Sequence, residues 1–339
     1  AESRITAARG ALLERDLPRP PFTFDTLRAI HRELFQDVYA WAGEARTTPL
    51  AKREYDHPAS PVQAFVSPEA IASGAEAVFE RLAAQDFLAG TSRSAFAAGA
   101  TEVLVALNRV HFAREGNGRS QRLLLTAIAR SAGHALAFDV VTRERMVAVS
   151  VAAHKGDSSG VRRMFDEILD PRQVEAMRKA LGFLERSGAV PWNDLYIATT
   201  RAGQEYDGTL VGRAGPDFML RAVAPQGGEP RILIGDAADL PTTAASGDRV
   251  RLHATQFTSP TDQLQRPRSA PVLKSVLDAM RPPAPAAPMP WEPPPAPFAE
   301  RIRSFEERLK VKKAPSPKPE EKPGPEPDET PRPRSGPKP

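Results

Sequence analysis

The chain has no cysteine among its 339 residues. That excludes a disulfide framework, a thiolate metal site and a thiol nucleophile. It has no apolar run near the ~20 residues that a membrane-spanning helix needs, so no membrane partner is expected. The opening Ala1-Glu2-Ser3-Arg4 lacks both the apolar stretch of a secretory leader and an initiator methionine, which points to a processed or excised chain. Proline is sparse until the end, where 19 of the 35 fall in residues 281–339. That stretch cannot bury a core and is expected to be disordered. A strong charge of one sign is lacking as well. The net formal charge is +4, and from Ala299 to Pro339 11 Lys and Arg stand against 8 Asp and Glu, so three of the four net positive charges fall in the tail. The remainder is close to neutral, which argues against a nucleic-acid surface there, because binding a phosphate backbone needs a basic stripe.

What is present centres on one stretch, Val110-His111-Phe112-Ala113-Arg114-Glu115-Gly116-Asn117-Gly118-Arg119-Ser120-Gln121-Arg122. An apolar helix with Phe96, Ala100, Val103, Leu104 and Leu107 at helical spacing runs into His111. Gly116 and Gly118 can take φ > 0 without steric cost, and Asn117 tolerates it. Successive N–H groups then form an anion nest, and the helix that follows adds its free N–H groups and dipole. Arg119 and Arg122, three apart, are expected on one face of that helix's first turn, with forks that suit phosphate oxygens. Glu115 would repel a bare phosphate, so it asks for a hard cation, and Mg²⁺ binds through one or two carboxylates plus phosphates. His111 could be a core histidine at a helix end. The anion turn that begins four residues later favours a general base, since imidazole can deprotonate a hydroxyl near neutral pH.

These residues resemble the motif of Fic (filamentation induced by cAMP) domain proteins, His-x-Phe-x-(Asp/Glu)-Gly-Asn-Gly-Arg-x-x-Arg. The match runs through His111, Glu115, Gly116, Asn117, Gly118, Arg119 and Arg122. It departs at Ala113, where the family has Phe, and Phe112 stands one place earlier, where most members have Pro. The resemblance implies a protein adenylyltransferase that transfers AMP from ATP to a Tyr, Thr or Ser hydroxyl of a target protein. It assigns His111 as base and Glu115 as the Mg²⁺ ligand. Gly116, Asn117 and Gly118 become the anion hole, and Arg119 and Arg122 the phosphate ligands. Pyrophosphate leaves from the α-phosphorus. The alternatives are a catalytically weak Fic scaffold, with Ala113 as its symptom, or a Fic enzyme moving a different nucleotide or phosphate-linked group.

Around this centre the pattern is helical: residues 3–14 (Ile5, Ala8, Leu12 and Leu13 inward), a helix capped by Thr23 or Asp25, and one opened by Ser67-Pro68-Glu69. Helices are also expected over 94–111, 118–132, 142–154, 158–169 and 172–187. Phe35, Tyr39 and Trp41 read as core, and His134 as structural. Residues 46–66 lack helical period, and the resemblance places there, at about Thr47 to Phe65, a β-hairpin flap that docks the target by strand addition. Lys52, Arg53, Glu54, Tyr55, Asp56 and His57 would crowd its tip, with no catalytic role for His57.

From Asp194 the period becomes that of strands, at 194–200, 208–213, 217–223, 231–234 and 249–255. Five short strands make a small barrel or meander of OB type. Tyr196, Tyr206 and Phe218 are too few aromatics to suggest nucleic acid. The fold class expected is α+β as a whole: an all-α Fic domain (1–188) with a hairpin flap, a small OB-like β-barrel (189–260), and a disordered Pro-rich tail (261–339) with a short helix at about 298–312. Fic followed by OB resembles the Bep-type effectors of type IV secretion. That implies a protein of the bacterial cytoplasm, translocated into a target cell or acting as an internal toxin. The family's inhibitory pattern (Ser/Thr)-x-x-x-Glu-(Gly/Asn) finds no match, so restraint would come from a separate small antitoxin supplying a glutamate.

Overall fold

The computed structural model describes residues 2–53, 62–187, 191–222 and 231–257. The chain divides into two compact units, Ala1–Arg266 and Pro267–Pro339. The second lies wholly outside the described residues, as do the expected tail helix and the hairpin tip Glu54–His57.

Among the described residues the first unit holds eight helices and seven strands. The helices are α1 (Glu2–Leu13), α2 (Phe24–Phe35), α3 (Ile71–Ala84), α4 (Arg93–Val110), α5 (Asn117–Ser131), α6 (Arg143–His154), α7 (Ser159–Ile168) and α8 (Pro171–Ser187). Their boundaries follow side-chain chemistry. Thr23 and Thr26 form a reciprocal capping box on α2, and the Ser92 hydroxyl accepts the Ala95 N–H to start α4. Apolar stripes at helical spacing then turn inward. Leu27, Ile30, Leu34 and Phe35 of α2 meet Phe96, Ala100, Leu104 and Leu107 of α4 in one core.

Two expectations hold only in part. Ser67 stands at the N-cap position, with Pro68 first and Glu69 in the first turn, but of a short 3₁₀ turn, Pro68–Ala70, that precedes α3, and its hydroxyl makes no cap bond. In α1 the expected apolar stripe is met only at Leu13, which packs against the core. Ile5 and Leu12 are exposed, and Thr6 is the buried residue. This helix docks by its polar face, with Arg9 on Asp37 at 2.5 Å and Glu2 and Thr6 on Arg119. Residues two, six and nine lie on one side of a 3.6-residue helix.

Strands β1 (Ala51–Arg53) and β2 (Val62–Ala64) pair antiparallel with Lys52 opposite Gln63. The other five are β3 (Tyr196–Thr199), β4 (Glu205–Ala214), β5 (Asp217–Ala222), β6 (Arg231–Asp236) and β7 (Arg249–His253). They form one sheet in the order β3-β6-β5-β4-β7. β3 runs parallel to β6 and the other pairs are antiparallel. The fold is thus mixed, helices first and sheet second, as the change of period predicts. One sheet face sends Ile197, Met219, Ile232 and Ile234 into the helical core. The other gathers Leu210, Leu220, Leu233 and Leu252 with Leu240 into a second core.

Buried charge joins the sheet to the helices. Arg145, fully buried, donates to Glu167 Oε2 at 2.7 Å and to the Ile197 carbonyl at 3.2 Å. Arg163 holds the other Glu167 oxygen at 2.8 Å and also reaches the Thr199 carbonyl. Burial pushes the Glu167 carboxyl up, but the two guanidiniums outweigh it and hold it below the usual range. Arg172 of α8 pairs with Asp217 of β5. Glu167→Gln would leave the fully buried Arg145 without its carboxylate and take one from the half-buried Arg163, so urea unfolding is expected to show a loss of ~3–5 kcal/mol. A loss indistinguishable from that of a surface substitution would show that the pair contributes little.

Candidate active site

The turn between α4 and α5 is held open by its own side chains. His111 ends α4 in the left-handed region (φ 43, ψ 61) while its N–H still bonds the Leu107 carbonyl at 2.9 Å. Asn117 closes the loop on itself: its Oδ1 accepts the Ala113 N–H at 3.0 Å and its Nδ2 donates to the Ala113 carbonyl at 2.7 Å. Gly116 has φ +86, and a Cβ there would fall 2.4 Å from the Phe35 ring and 3.0 Å from His31 Nε2. Its glycine is therefore required twice over, by backbone and by space. Gly118 corrects the sequence reading. It lies inside α5 with ordinary helical backbone, and an added Cβ would meet only Arg122 Nη1 at 3.9 Å. Its bareness leaves the surface of the first turn open. Among the described residues no hydrogen bond engages the Asn117 and Gly118 amides, which lie at the positive end of the α5 dipole.

Ala113 is fully buried. The aromatic bulk expected there comes from Phe112, whose ring sits edge-on to Phe24 at 5.6 Å and to His31 at 5.3 Å. His31, which opens the run His31–Phe35 resembling a block that Fic domains carry before the active site, supports the turn, a role the sequence reading did not assign. Its Nδ1 accepts the Gly43 N–H at 2.9 Å, so Nε2 carries the proton and donates to the Glu115 carbonyl at 2.8 Å. Burial depresses its pKa and keeps it neutral. A lone histidine in a helix stripe gives no sequence signal for this role. Phe35 is core as expected, and Tyr39 and Trp41 are partly buried and stacked at 4.3 Å. His134 is structural, bonding the Thr91 carbonyl at 2.8 Å.

The His111 ring is stacked on Phe65, which follows β2, with centroids 3.9 Å apart and planes 16° apart. Neither ring nitrogen has a hydrogen-bond partner among the described residues. Burial, then the charges of Lys52 and Arg46, pull its pKa down to about 3, against a weaker upward pull from the Asn108 carbonyl. The imidazole is thus neutral, with a lone pair available. It lines a cavity of about 250 Å³ together with Arg122, Gly118, Gln121, Lys52 and His154. The Gln121 amide is buried with neither its oxygen nor its nitrogen bonded. The Arg122 guanidinium has no hydrogen bond or ion pair among the described residues, and burial followed by the nearby Arg119 pushes its pKa down.

Arg119 does not share that cavity. Its fork is taken by Glu2 at 2.9 Å and Thr6 at 3.0 Å, and it lies 4.6 Å from the centroid of the Phe35 ring. The common face expected for the two arginines is therefore split, because α1 supplies acceptors on one side only. Glu115 is half-exposed. Its Oε1 accepts the Gly116 N–H at 3.1 Å, and its Oε2 lies 3.7 Å from Lys52 Nζ on β1. No group of three or more His, Cys, Asp or Glu that could hold a metal occurs among the described residues. A single half-exposed carboxylate beside open amides fits a cation that takes its remaining ligands from phosphate and water.

Comparison with known proteins matches the Fic/DOC family over residues 21–129. A protein adenylyltransferase of Bartonella henselae is 33% identical over 219 residues, which cover 62% of this chain and 40% of that protein. A probable protein adenylyltransferase of Sinorhizobium fredii is 39% identical over 162 residues, covering 46% of this chain and 78% of that one. Among solved structures, the type IV secretion system effector protein BepA aligns with a TM-score of 0.65 at 28% identity, over 76% of this chain and 89% of that chain. The chain spans less than half the length of the Bartonella henselae relative. No helix among the described residues is long and apolar enough to cross a membrane.

The depressed His111 pKa has a consequence for stability. The unfolded chain binds a proton near pH 6.5 that the folded chain refuses until about pH 3. Stability held above pH 6.5 is therefore lost as pH falls through that window. Between pH 7 and pH 5 the native protein should lose roughly 1–2 kcal/mol more than His111→Gln, measured by urea unfolding. Parallel losses in the two proteins would show that the imidazole is not buried neutral.

Proposed function

Since the chain belongs to the Fic/DOC family, we propose that it is a nucleotidyltransferase that moves AMP from ATP onto a hydroxyl of a protein target. The observation that carries this reading is the single cavity in which a neutral His111 faces the first turn of α5 and the unpaired Arg122. A target hydroxyl placed there gives its proton to the imidazole, and its oxygen attacks the α-phosphorus. The bond from that phosphorus to the bridging oxygen breaks, and pyrophosphate leaves with the electron pair. The Gly116-Asn117-Gly118 turn and the α5 dipole hold the oxygens that gain charge. Arg122 binds the outer phosphates. Glu115 would hold Mg²⁺, which when bound neutralises charge between the α- and β-phosphates. Arg119 would have to leave Glu2 and Thr6 to join them, so we assign its part to α1 docking and the phosphate role to Arg122.

The β1–β2 hairpin is the proposed dock for the target segment, by strand addition along its edge. The placing of Phe112 supports an active enzyme over a scaffold, since it restores aromatic packing beside Ala113. A separate small antitoxin could restrain the enzyme by offering a glutamate to Arg122. Likeness to BepA supports production in a bacterial cytoplasm followed by type IV secretion. We read the sheet as an OB-like module. The support for this reading is the β4-β5-β6 meander, flanked by β7 and by parallel β3. The proposed division is 1–188, 189–260 and 261–339.

The test is label transfer from α-phosphate-radiolabelled ATP with Mg²⁺ into bacterial and eukaryotic lysates. His111→Ala is expected to lower transfer by about 10²–10⁴-fold with an unchanged melting temperature, and undiminished labelling would remove His111 as base. Arg122→Ala should weaken nucleotide use far more than it weakens folding; equal rates in the variant and the native protein would remove the phosphate assignment.

A further inference from the structure

Arg46 stands just before the hairpin and 65 residues from His111 in sequence. It is 2% exposed, and its hydrogen bonds are to main-chain carbonyls. Nε donates to His111 at 2.9 Å, Nη1 to Thr48 at 3.0 Å, and Nη2 to Val66 and, at 3.4 Å, to Val110. Its own N–H donates to the Phe112 carbonyl at 2.8 Å. Burial pushes the guanidinium pKa down, and Glu69 offsets this only in part. A buried cation held by neutral acceptors is costly, and the folded chain keeps it where two segments must be held together.

We propose that Arg46 is a positioning residue for the transfer reaction: it locks both legs of the hairpin to the main chain of His111, so that a segment paired with the hairpin meets the imidazole at a fixed distance. Thr48 lies on the leg that enters the hairpin and Val66 on the leg that leaves it. Phe65, next to Val66, is the ring stacked on His111, and the Val66 N–H bonds the Arg109 carbonyl at 3.3 Å. Guanidinium, hairpin leg, Phe65 and imidazole thus form one unbroken set of contacts. The left-handed pose of His111 is unfavourable for a residue with a Cβ, and its carbonyl is held there by Nε. The planar fork serves carbonyls in separate directions, which an ammonium cannot reproduce. Arg46 also acts by charge. The groups that line the cavity with His111 are Lys52 and Arg53 from the hairpin, Arg109 of α4, Arg122 of α5 and His154 of α6. Of the charges near it, Lys52 and Arg46 are those that disfavour its protonation.

The consequence for catalysis rests on the transferase reading above; the clasp itself does not. Arg46→Lys keeps the charge and loses the fork, and Arg46→Met loses both. Three measurements on the full chain separate the possibilities: label transfer into lysate, affinity for a non-hydrolysable ATP analogue, and NMR titration of the His111 imidazole. We expect Arg46→Lys to lower transfer roughly tenfold to a hundredfold, with nucleotide affinity unchanged and faster amide exchange in residues 47–53 and 62–66. In Arg46→Met the His111 titration should rise slightly and stay well below the ordinary histidine value, since burial and Lys52 remain, while in Arg46→Lys it is unchanged. Native-like transfer or native-like hairpin exchange in Arg46→Lys overturns the proposal, as does nucleotide affinity that falls in step with transfer. If Arg46→Met does not fold, Arg46→Lys decides the matter through its exchange and transfer. If the native chain transfers no label, the transferase reading fails, and exchange and titration still report on the clasp.

Discussion

The chain between α4 and α5 carries opposite obligations at its two ends. A helix that stops leaves carbonyls without partners, and one that starts leaves amides without partners. Here most of the carbonyls are answered from within. Arg46 takes those of Val110 and His111, and its own amide takes that of Phe112. Val66 takes that of Arg109, and His31 that of Glu115. The first amides of α5 are left facing the cavity. The first turn of α5 therefore offers free donors to a wall that also carries Lys52 and Arg122, with the Glu115 carboxylate beside it. An anion is favoured there, and so is a histidine without a proton.

The supporting frame follows from that arrangement. α2 brings His31 and Phe35 under Gly116 so closely that no side chain fits between them. α1 reaches the same helix from the far side through Glu2, Thr6 and Arg119, a contact of polar groups where an apolar stripe would be usual. The hairpin is fastened by Arg46 and covers the imidazole with Phe65. Each piece of the site is thus held by an element distant in sequence.

This explains what could be read from the sequence and what could not. Residues 111–122 are adjacent in the chain, so the helix–turn–helix around them was legible, as were the Thr23 cap and the strands after Asp194. Distant partners were not. His31 lies 84 residues from Glu115, Arg46 65 from His111, and Arg119 117 from Glu2. Periodicity says which face of a helix turns inward and is silent on what meets it. The misreading of α1 has the same origin, since the spacing of Ile5, Ala8, Leu12 and Leu13 allowed an apolar dock, of which only Leu13 packs on the core beside the polar contacts to Arg119 and Asp37. Gly118 was misassigned because a glycine can be kept for open space as well as for its backbone freedom.

The ion pairs under the sheet bear on how such a chain can be recombined. Arg145 needs the carbonyl of Ile197 as well as Glu167, and Arg172 needs Asp217. A gene that exchanged the segment carrying β3–β7 for another would leave a fully buried guanidinium short of an acceptor and a second without its carboxylate. In this chain the helical part and the sheet are consequently matched, and a change at Asp217 or Arg172 strands the charge of the other.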